Sequence, residues 1–283
     1  MPETPETPKT PKTPKTPKTL QTLQTLQTLQ TLQTPPWSVE RVPGLGRVVF
    51  APRLPDRCGL FYTSVDFSGR LAGEDLDALT TFLQRRWGAG IGLVTSTQVH
   101  GTELVFAASP STGWRELGTC DALWTDRPGM ALGIKVADCL PVTVVDPEHR
   151  VLANLHSGWR GAAQGVVPRT LDELERLSSF SAASARAWLG PAIRACCFEV
   201  GDEVVEAFAA RYDSVDPFVD RTRGPRPHFD LAGLTRRILE QRGIDRANIV
   251  DSALCTRCDG SIFHSYRRSG AGAGRILAIA VQA

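Results

Sequence analysis

Residues 130–145 are apolar with no clean alternation, and the run is broken at Asp138 and Cys139. A strand with one wet face alternates polar and apolar residues; a strand buried on both faces does not. Two buried strands meeting at a polar break must be covered on both sides. The chain is therefore expected to build sheets inside a layered domain. Strands are expected at 130–137 and 140–145, and also at 47–52, 60–67, 92–99, 151–156, 186–189, 262–267 and 276–281. A 3.6-residue period predicts helices around 76–87, 166–177 (with Pro168 in the first turn), 204–212 and 231–238, the last capped by Asp230 and ending at Gly243. Strands and helices do not alternate strictly, so a mixed sheet sandwich flanked by helices is expected rather than a doubly wound parallel sheet.

The first 36 residues differ from the rest. Thr recurs every third residue from Thr4 to Thr34, first in Pro-Glu-Thr and Pro-Lys-Thr units, then in Thr-Leu-Gln. Regular proline blocks helix and central strand, and leucines stepping by three make no continuous face. Residues 1–36 are read as a low-complexity, disordered tail and 37–283 as a single domain. Deleting 1–36 is therefore expected to move the melting temperature by less than about 5 °C, measured by thermal denaturation.

The chain has 32 Lys+Arg against 30 Asp+Glu, a net charge of +2. The tail carries that excess, so the body offers no broad basic field and no nucleic-acid partner is expected. No apolar run reaches the length of a membrane span, and no apolar leader stands at the N-terminus. Seven cysteines without a leader read as reduced thiols, which implies a cytoplasmic protein without membrane association.

Three residues suited to metal or thiol chemistry stand where apolar runs end: His100, Cys139 and His156. The spacings of 39 and 17 residues do not suit a zinc finger. Three strand ends meeting at one rim would give two imidazoles and a thiolate, a donor set for zinc with one open position. Packed histidines and a buried thiol are the plain alternative, and a Cys139 nucleophile with a His156 base is another. Asp138 is placed to orient either arrangement, or simply to accept backbone hydrogens at a strand end. Arg160, flanked by Gly158-Trp159 and Gly161, suits an anion such as phosphate or a surface ion pair. Cys255-Thr256-Arg257-Cys258 has no second such motif, and Cys196-Cys197 lies in an apolar turn; both read as packed thiols.

QVHG at 98–101, ADCLPV at 137–142, HSGWRGAA at 156–163, LGPAIRACCFEVGDEV at 189–204 and FHSYRR at 263–268 resemble, in order and spacing, the laccase-domain or YfiH-like family. The resemblance covers most of residues 47–282. It implies a mixed α/β sandwich related to the catalytic fold of cytotoxic necrotizing factors. It implies His100, Cys139 and His156 as metal ligands, with zinc expected and copper as the alternative ion. Members are described as polyphenol oxidoreductases and as purine nucleoside phosphorylases. The implied partners are small molecules: phosphate with adenosine, inosine or S-methyl-5′-thioadenosine, giving base and (methylthio)ribose 1-phosphate. Adenosine deamination is implied as well.

The implied catalytic set is Cys139, His156, Arg160 and Asp138. Asp138, Glu199 and His228 are candidates to protonate the leaving base. The sequence departs from the family pattern at 57–66, where Arg57, Ser64 and Asp66 are weak substrate-binding candidates, and His264 replaces a usual aromatic. Lys135 shares strand phase with Cys139, so it faces either the pocket or an edge. A Cys139/His156 amidase and a copper-linked polyphenol oxidase are the rival functions. Five histidines are too few for a multicopper centre.

Overall fold

The computed structural model describes residues 37–69, 71–108 and 112–283. The low-complexity segment 1–36 lies outside the described residues.

Fifteen strands form two large sheets and one small one among the described residues. The first large sheet contains β1 (Ser38–Val42), β2 (Gly46–Phe50), β3 (Cys58–Thr63), β4 (Gly92–Thr97), β6 (Gly113–Thr119), β8 (Met130–Val136) and β15 (Ile276–Gln282). Their order across the sheet is β1-β2-β3-β15-β8-β4-β6. The second contains β5 (Leu104–Phe106), β7 (Ala122–Thr125), β9 (Leu140–Asp146), β10 (Val151–Ser157), β11 (Arg186–Leu189) and β14 (Ile249–Asp251). Its order is β14-β11-β9-β10-β7-β5. Both sheets mix parallel and antiparallel pairs. β12 (Val219–Asp220) and β13 (His228–Phe229) make the small ribbon.

The two large sheets pack face to face through β10 on β8 and β15. Asn154 of β10 ties them. Its Nδ2 donates to the carbonyls of Leu132 (2.8 Å) and Ala278 (2.9 Å) in the opposite sheet, and its Oδ1 accepts from Thr143 Oγ1. A buried amide with those bonds satisfied fixes the register of the sandwich.

Helices cover the outer faces. Helix α1 (Gly73–Trp87) lays Leu79 and Leu83 against Phe61, Leu93, Leu277 and Ile279 of the first sheet. Helices α2 (Trp159–Gln164), α3 (Val166–Leu177), α4 (Asp202–Ala209) and α5 (Leu231–Gln241) cover the second. There Leu171, Leu174, Leu234 and Ile238 meet Val142, Val144, Ala153 and Leu189. The expected mixed sandwich with flanking helices is the observed architecture. Asp230 caps α5, its carboxylate accepting from Gly233 N. No helix among the described residues is long and apolar enough to cross a membrane.

The strand expected at 262–267 does not form. Ile262 N and Phe263 N donate to the Asp259 carbonyl, closing a turn. Ser265 then caps a short helix, α6 (Tyr266–Ser269), by accepting from Arg268 N. The local side-chain cap wins over an apolar stretch too short to enforce a strand. β6 was not expected because it is an edge strand with mostly exposed side chains and little apolar signal.

Candidate metal centre and its cavity

Three connections carry the chain from the first sheet to the second: β4 to β5, β6 to β7 and β8 to β9. The β4–β5 connection holds His100, the β6–β7 connection is Cys120-Asp121, and the β8–β9 connection is Ala137-Asp138-Cys139. The polar break in the 130–145 run is thus the point where the backbone leaves one sheet for the other. His100 (φ 61°) and Asp138 (φ 89°) both take left-handed backbone conformations in these crossings. Such conformations are costly for residues other than glycine and persist where surrounding contacts fix them.

His156 is the penultimate residue of β10, beside the crossings. His100, Cys139 and His156 offer one nitrogen, one sulfur and one nitrogen, all within 4.8 Å of one another. Cys139 Sγ lies 3.7 Å from His100 Nε2, and the two imidazoles meet edge to face at 4.8 Å between ring centres.

Asp121 holds this set together. Its side chain is fully buried. Oδ1 lies 2.7 Å from His156 Nδ1 and accepts from His100 N (2.9 Å). Oδ2 accepts from Gly101 N (2.7 Å) and Val99 N (3.1 Å). One carboxylate therefore positions the backbone under one imidazole and the ring of the other, leaving His156 Nε2 as that ring's remaining nitrogen. Burial opposes ionisation of Asp121, yet the His156 and backbone hydrogen bonds hold its carboxyl below the usual carboxylate range. A carboxylate behind a metal-binding histidine is the usual support of such a site. Asp121 was not singled out in the sequence. Its signal is an acid set directly before the apolar run Ala122–Trp124, a position that carries it into the core.

Burial also opposes ionisation of the Cys139 thiol, but the His100 and His156 imidazoles outweigh it and lower the thiol to about 6. Burial likewise works against protonating His156, and Asp121 with Cys139 outweighs it, raising the imidazole to about 9. The thiolate and the imidazolium thus each favour the charged form of the other. Two imidazoles and a ready thiolate, backed by a carboxylate, fit a soft or borderline divalent cation.

Gly158, at the start of α2, leaves the space the donors need. A Cβ there would lie 2.6 Å from His100 Cδ2 and 3.0 Å from Cys139 Sγ. Gly158→Ala should displace the donors and weaken metal binding at least about fivefold, since overpacking costs about 1–3 kcal/mol. Metal titration with a far-UV circular dichroism control would check this.

A cavity of about 740 Å³ opens over the three residues. Trp159, Phe198 and Tyr266 give it aromatic walls, and Arg160, Arg267 and Arg275 line it with positive charge. Arg160 stacks on Trp159, its guanidinium 4.4 Å from the ring centre. Arg267 Nη1 donates to the Glu199 carbonyl and Arg275 Nη1 to the carbonyls of Ala273 and Gly274. Among the described residues none of these three guanidiniums is paired with a carboxylate. Lys135 faces the same cavity, 3.8 Å from Glu116.

Several sequence expectations change. Asp138 lines the cavity but orients neither Cys139 nor His156. Its Oδ1 accepts from Thr256 Oγ1 and its Oδ2 from Arg267 N, both at 2.6 Å, because its left-handed backbone turns the side chain toward that wall. Both oxygens take part in holding the wall. His228 and Glu199 are not in the cavity lining; His228 Nδ1 sits 2.6 Å from the Ala195 carbonyl. Arg57, Ser64 and Asp66 are outside it as well, and Asp66 is paired with Arg47 at 2.7 Å. His264 packs its ring where Gly274 leaves room, with Nε2 3.2 Å from the Phe67 carbonyl.

The family model described as multi-copper polyphenol oxidoreductase laccase matches residues 73–283. Over 156 residues the chain is 38% identical to "Adenosine deaminase RL5" from an unknown prokaryotic organism, covering 55% of this chain and 59% of that protein. Over 192 residues it is 34% identical to a purine nucleoside phosphorylase of Bacteroides thetaiotaomicron, covering 65% of this chain and 71% of the relative. Among solved structures, Bacillus licheniformis hypothetical protein YfiH superposes with a TM-score of 0.76 at 23% identity, over 83% of this chain and 96% of that one. The same layered sandwich thus underlies both. By the match over residues 73–283 and by its relatives, the chain belongs to the multi-copper polyphenol oxidoreductase laccase family, the laccase-domain or YfiH-like proteins.

Proposed function

We propose that the chain is a zinc-dependent purine nucleoside phosphorylase. Its substrates are adenosine, inosine and S-methyl-5′-thioadenosine, and adenosine deamination is a second activity. The observation that carries this reading is the cavity itself: a cluster of two imidazoles and a thiolate at its base, aromatic side chains on its walls and three arginines without carboxylate partners. Names of relatives, a phosphorylase and an adenosine deaminase, support it. About 740 Å³ suits a nucleoside with an anion beside it.

In phosphorolysis a phosphate oxygen bonds to C1′ as the C1′–N9 bond breaks, and the purine leaves with the bonding pair and takes up a proton. Trp159, Phe198 and Tyr266 flank the base and keep water off the sugar. Arg160, Arg267 and Arg275 hold the phosphate, whose charge their unpaired guanidiniums match. His100, Cys139 and His156 hold the zinc, with Asp121 fixing the His156 ring. Bound there, zinc supplies Lewis acidity. Copper fits the imidazoles, but the described site has three donors, too few for a multicopper oxidase.

Incubating the purified chain with adenosine, with and without phosphate, tests the reading by product chromatography. Adenine and ribose 1-phosphate should appear only with phosphate, while inosine and ammonia form without it. Adenosine returned unchanged under both conditions would refute it. Arg160→Ala should raise the KM for phosphate about tenfold, the usual worth of a charged hydrogen bond, and the KM for nucleoside by less than about threefold. An unchanged phosphate KM would remove Arg160 from the anion site.

One observation favours a second reading. The Cys139 thiol at about 6 beside a His156 imidazole at about 9 is the charge state of a cysteine nucleophile and its base. An amidase of that kind keeps its activity after metal removal and loses it to a thiol reagent.

A further inference from the structure

Four cysteines outside the nucleoside cavity converge on one point. Cys196 and Cys197 follow β11, and Cys255 and Cys258 follow β14. Their segments are aligned by a parallel bridge between Ala192 and Cys255. The expectation of separate packed thiols misses this because the two pairs lie about sixty residues apart in sequence and on parallel neighbouring strands. Sγ–Sγ separations are 3.7 Å for Cys196–Cys197, 3.7 Å for Cys196–Cys258 and 3.4 Å for Cys197–Cys258. All four sulfurs lie within 4.8 Å of one another.

A zinc–sulfur bond of about 2.3 Å at tetrahedral angles puts ligand sulfurs about 3.8 Å apart. The observed separations sit close to that edge length and well beyond the ~2.05 Å of a disulfide. We infer that Cys196, Cys197, Cys255 and Cys258 form a second, structural zinc site of four thiolates, separate from His100, Cys139 and His156.

The surroundings fit a tetrathiolate. The turn that carries Cys255 is closed on itself: Cys255 N donates to Asp259 Oδ2 (3.1 Å) and Asp259 N to the Cys255 carbonyl (2.8 Å). Four thiolates on a divalent cation leave two negative charges. Arg268 lies against the turn, donating from Nη1 to the carbonyls of Thr256 (2.8 Å) and Arg257 (3.2 Å), and has no carboxylate partner among the described residues. Cys197 and Cys255 are buried while Cys196 and Cys258 are exposed, which gives the ion a way in. All-sulfur donors select zinc over hard cations, and a four-coordinate site without an open position is structural rather than catalytic.

The site would staple one wall of the cavity. Phe198 directly follows Cys197. Thr256, inside the Cys255–Cys258 turn, holds Asp138, which in turn holds Arg267 N. The ion therefore ties together two segments that carry Phe198, Tyr266 and Arg267.

Zinc counting on the full chain, purified under reductant and analysed by native mass spectrometry, tests the inference. Wild type should hold two zinc ions. Cys258→Ser, a change at an exposed position, should hold one, and Cys139→Ser should also hold one. In wild type, p-hydroxymercuribenzoate added against a zinc indicator should release two equivalents in separable steps, a readout that needs no variant. One zinc lost with Cys258 and kept without Cys139 upholds this site and sinks the catalytic zinc. One zinc lost with Cys139 and kept without Cys258 overturns the inference and spares the proposed function. Iron in place of zinc, or a disulfide among the four cysteines with no second ion, also overturns it.

Discussion

Replacing Cys139 with serine is expected to abolish zinc binding at the His100–Cys139–His156 site and turnover together. Cys139 is the one anionic donor among the three residues, and its thiol is lowered to about 6, so it is available as thiolate at neutral pH. A serine hydroxyl does not ionise there. Losing a Lewis acid worth several kcal/mol of transition-state stabilisation corresponds to about a thousandfold or more in kcat. The fold should survive, because Cys139 lies in a connection between sheets rather than in either hydrophobic cluster. Steady-state kinetics with metal analysis of the same preparation provides the check. A Cys139→Ser chain that keeps both its active-site zinc and phosphorolysis removes Cys139 from the ligand set.

Asp121→Asn should be nearly as damaging, although Asp121 is absent from the cavity lining. The carboxylate accepts from three successive amides, Val99, His100 and Gly101, and contacts His156 Nδ1. An asparagine side chain has one acceptor oxygen instead of two. It must turn an NH₂ toward either the amides or the ring. Metal affinity should fall about 10- to 100-fold, the usual cost of losing a carboxylate behind a metal-bound histidine. The protonated His156 should also lose its main support, so its imidazole should titrate lower than in the wild-type metal-free chain. Calorimetric zinc titration and histidine NMR read these effects separately. Unchanged affinity would mean that Asp121 serves the fold alone.

Much of the fold was legible in apolar runs because burial on both faces suppresses alternation. β8, β9, β10, β11 and β15 lie within a residue or two of expectation, and Pro168 sits in the first turn of α3. What was illegible depended on contacts between distant segments. β6 reads as polar loop because it forms an edge, and the 262–267 stretch reads as strand until Asp259 and Ser265 cap its turns. The same distinction governs the site. His100, Cys139 and His156 stand at ends of apolar runs, so their position was visible. Asp121 was not, because its importance lies in amides 20–22 residues away. Asp138 adjoins Cys139 in sequence, yet its side chain reaches Thr256 and the amide of Arg267.

One zinc ion shared by His100, Cys139 and His156 should face the cavity lined by Trp159 and Arg160. Anomalous diffraction at the zinc edge, from crystals of the active full chain, measures this directly. A peak bonded to both imidazoles and to Cys139 Sγ is expected, with an open side toward Arg160 and Trp159. Full phosphorolysis by crystals or solutions with no zinc at that position would contradict it.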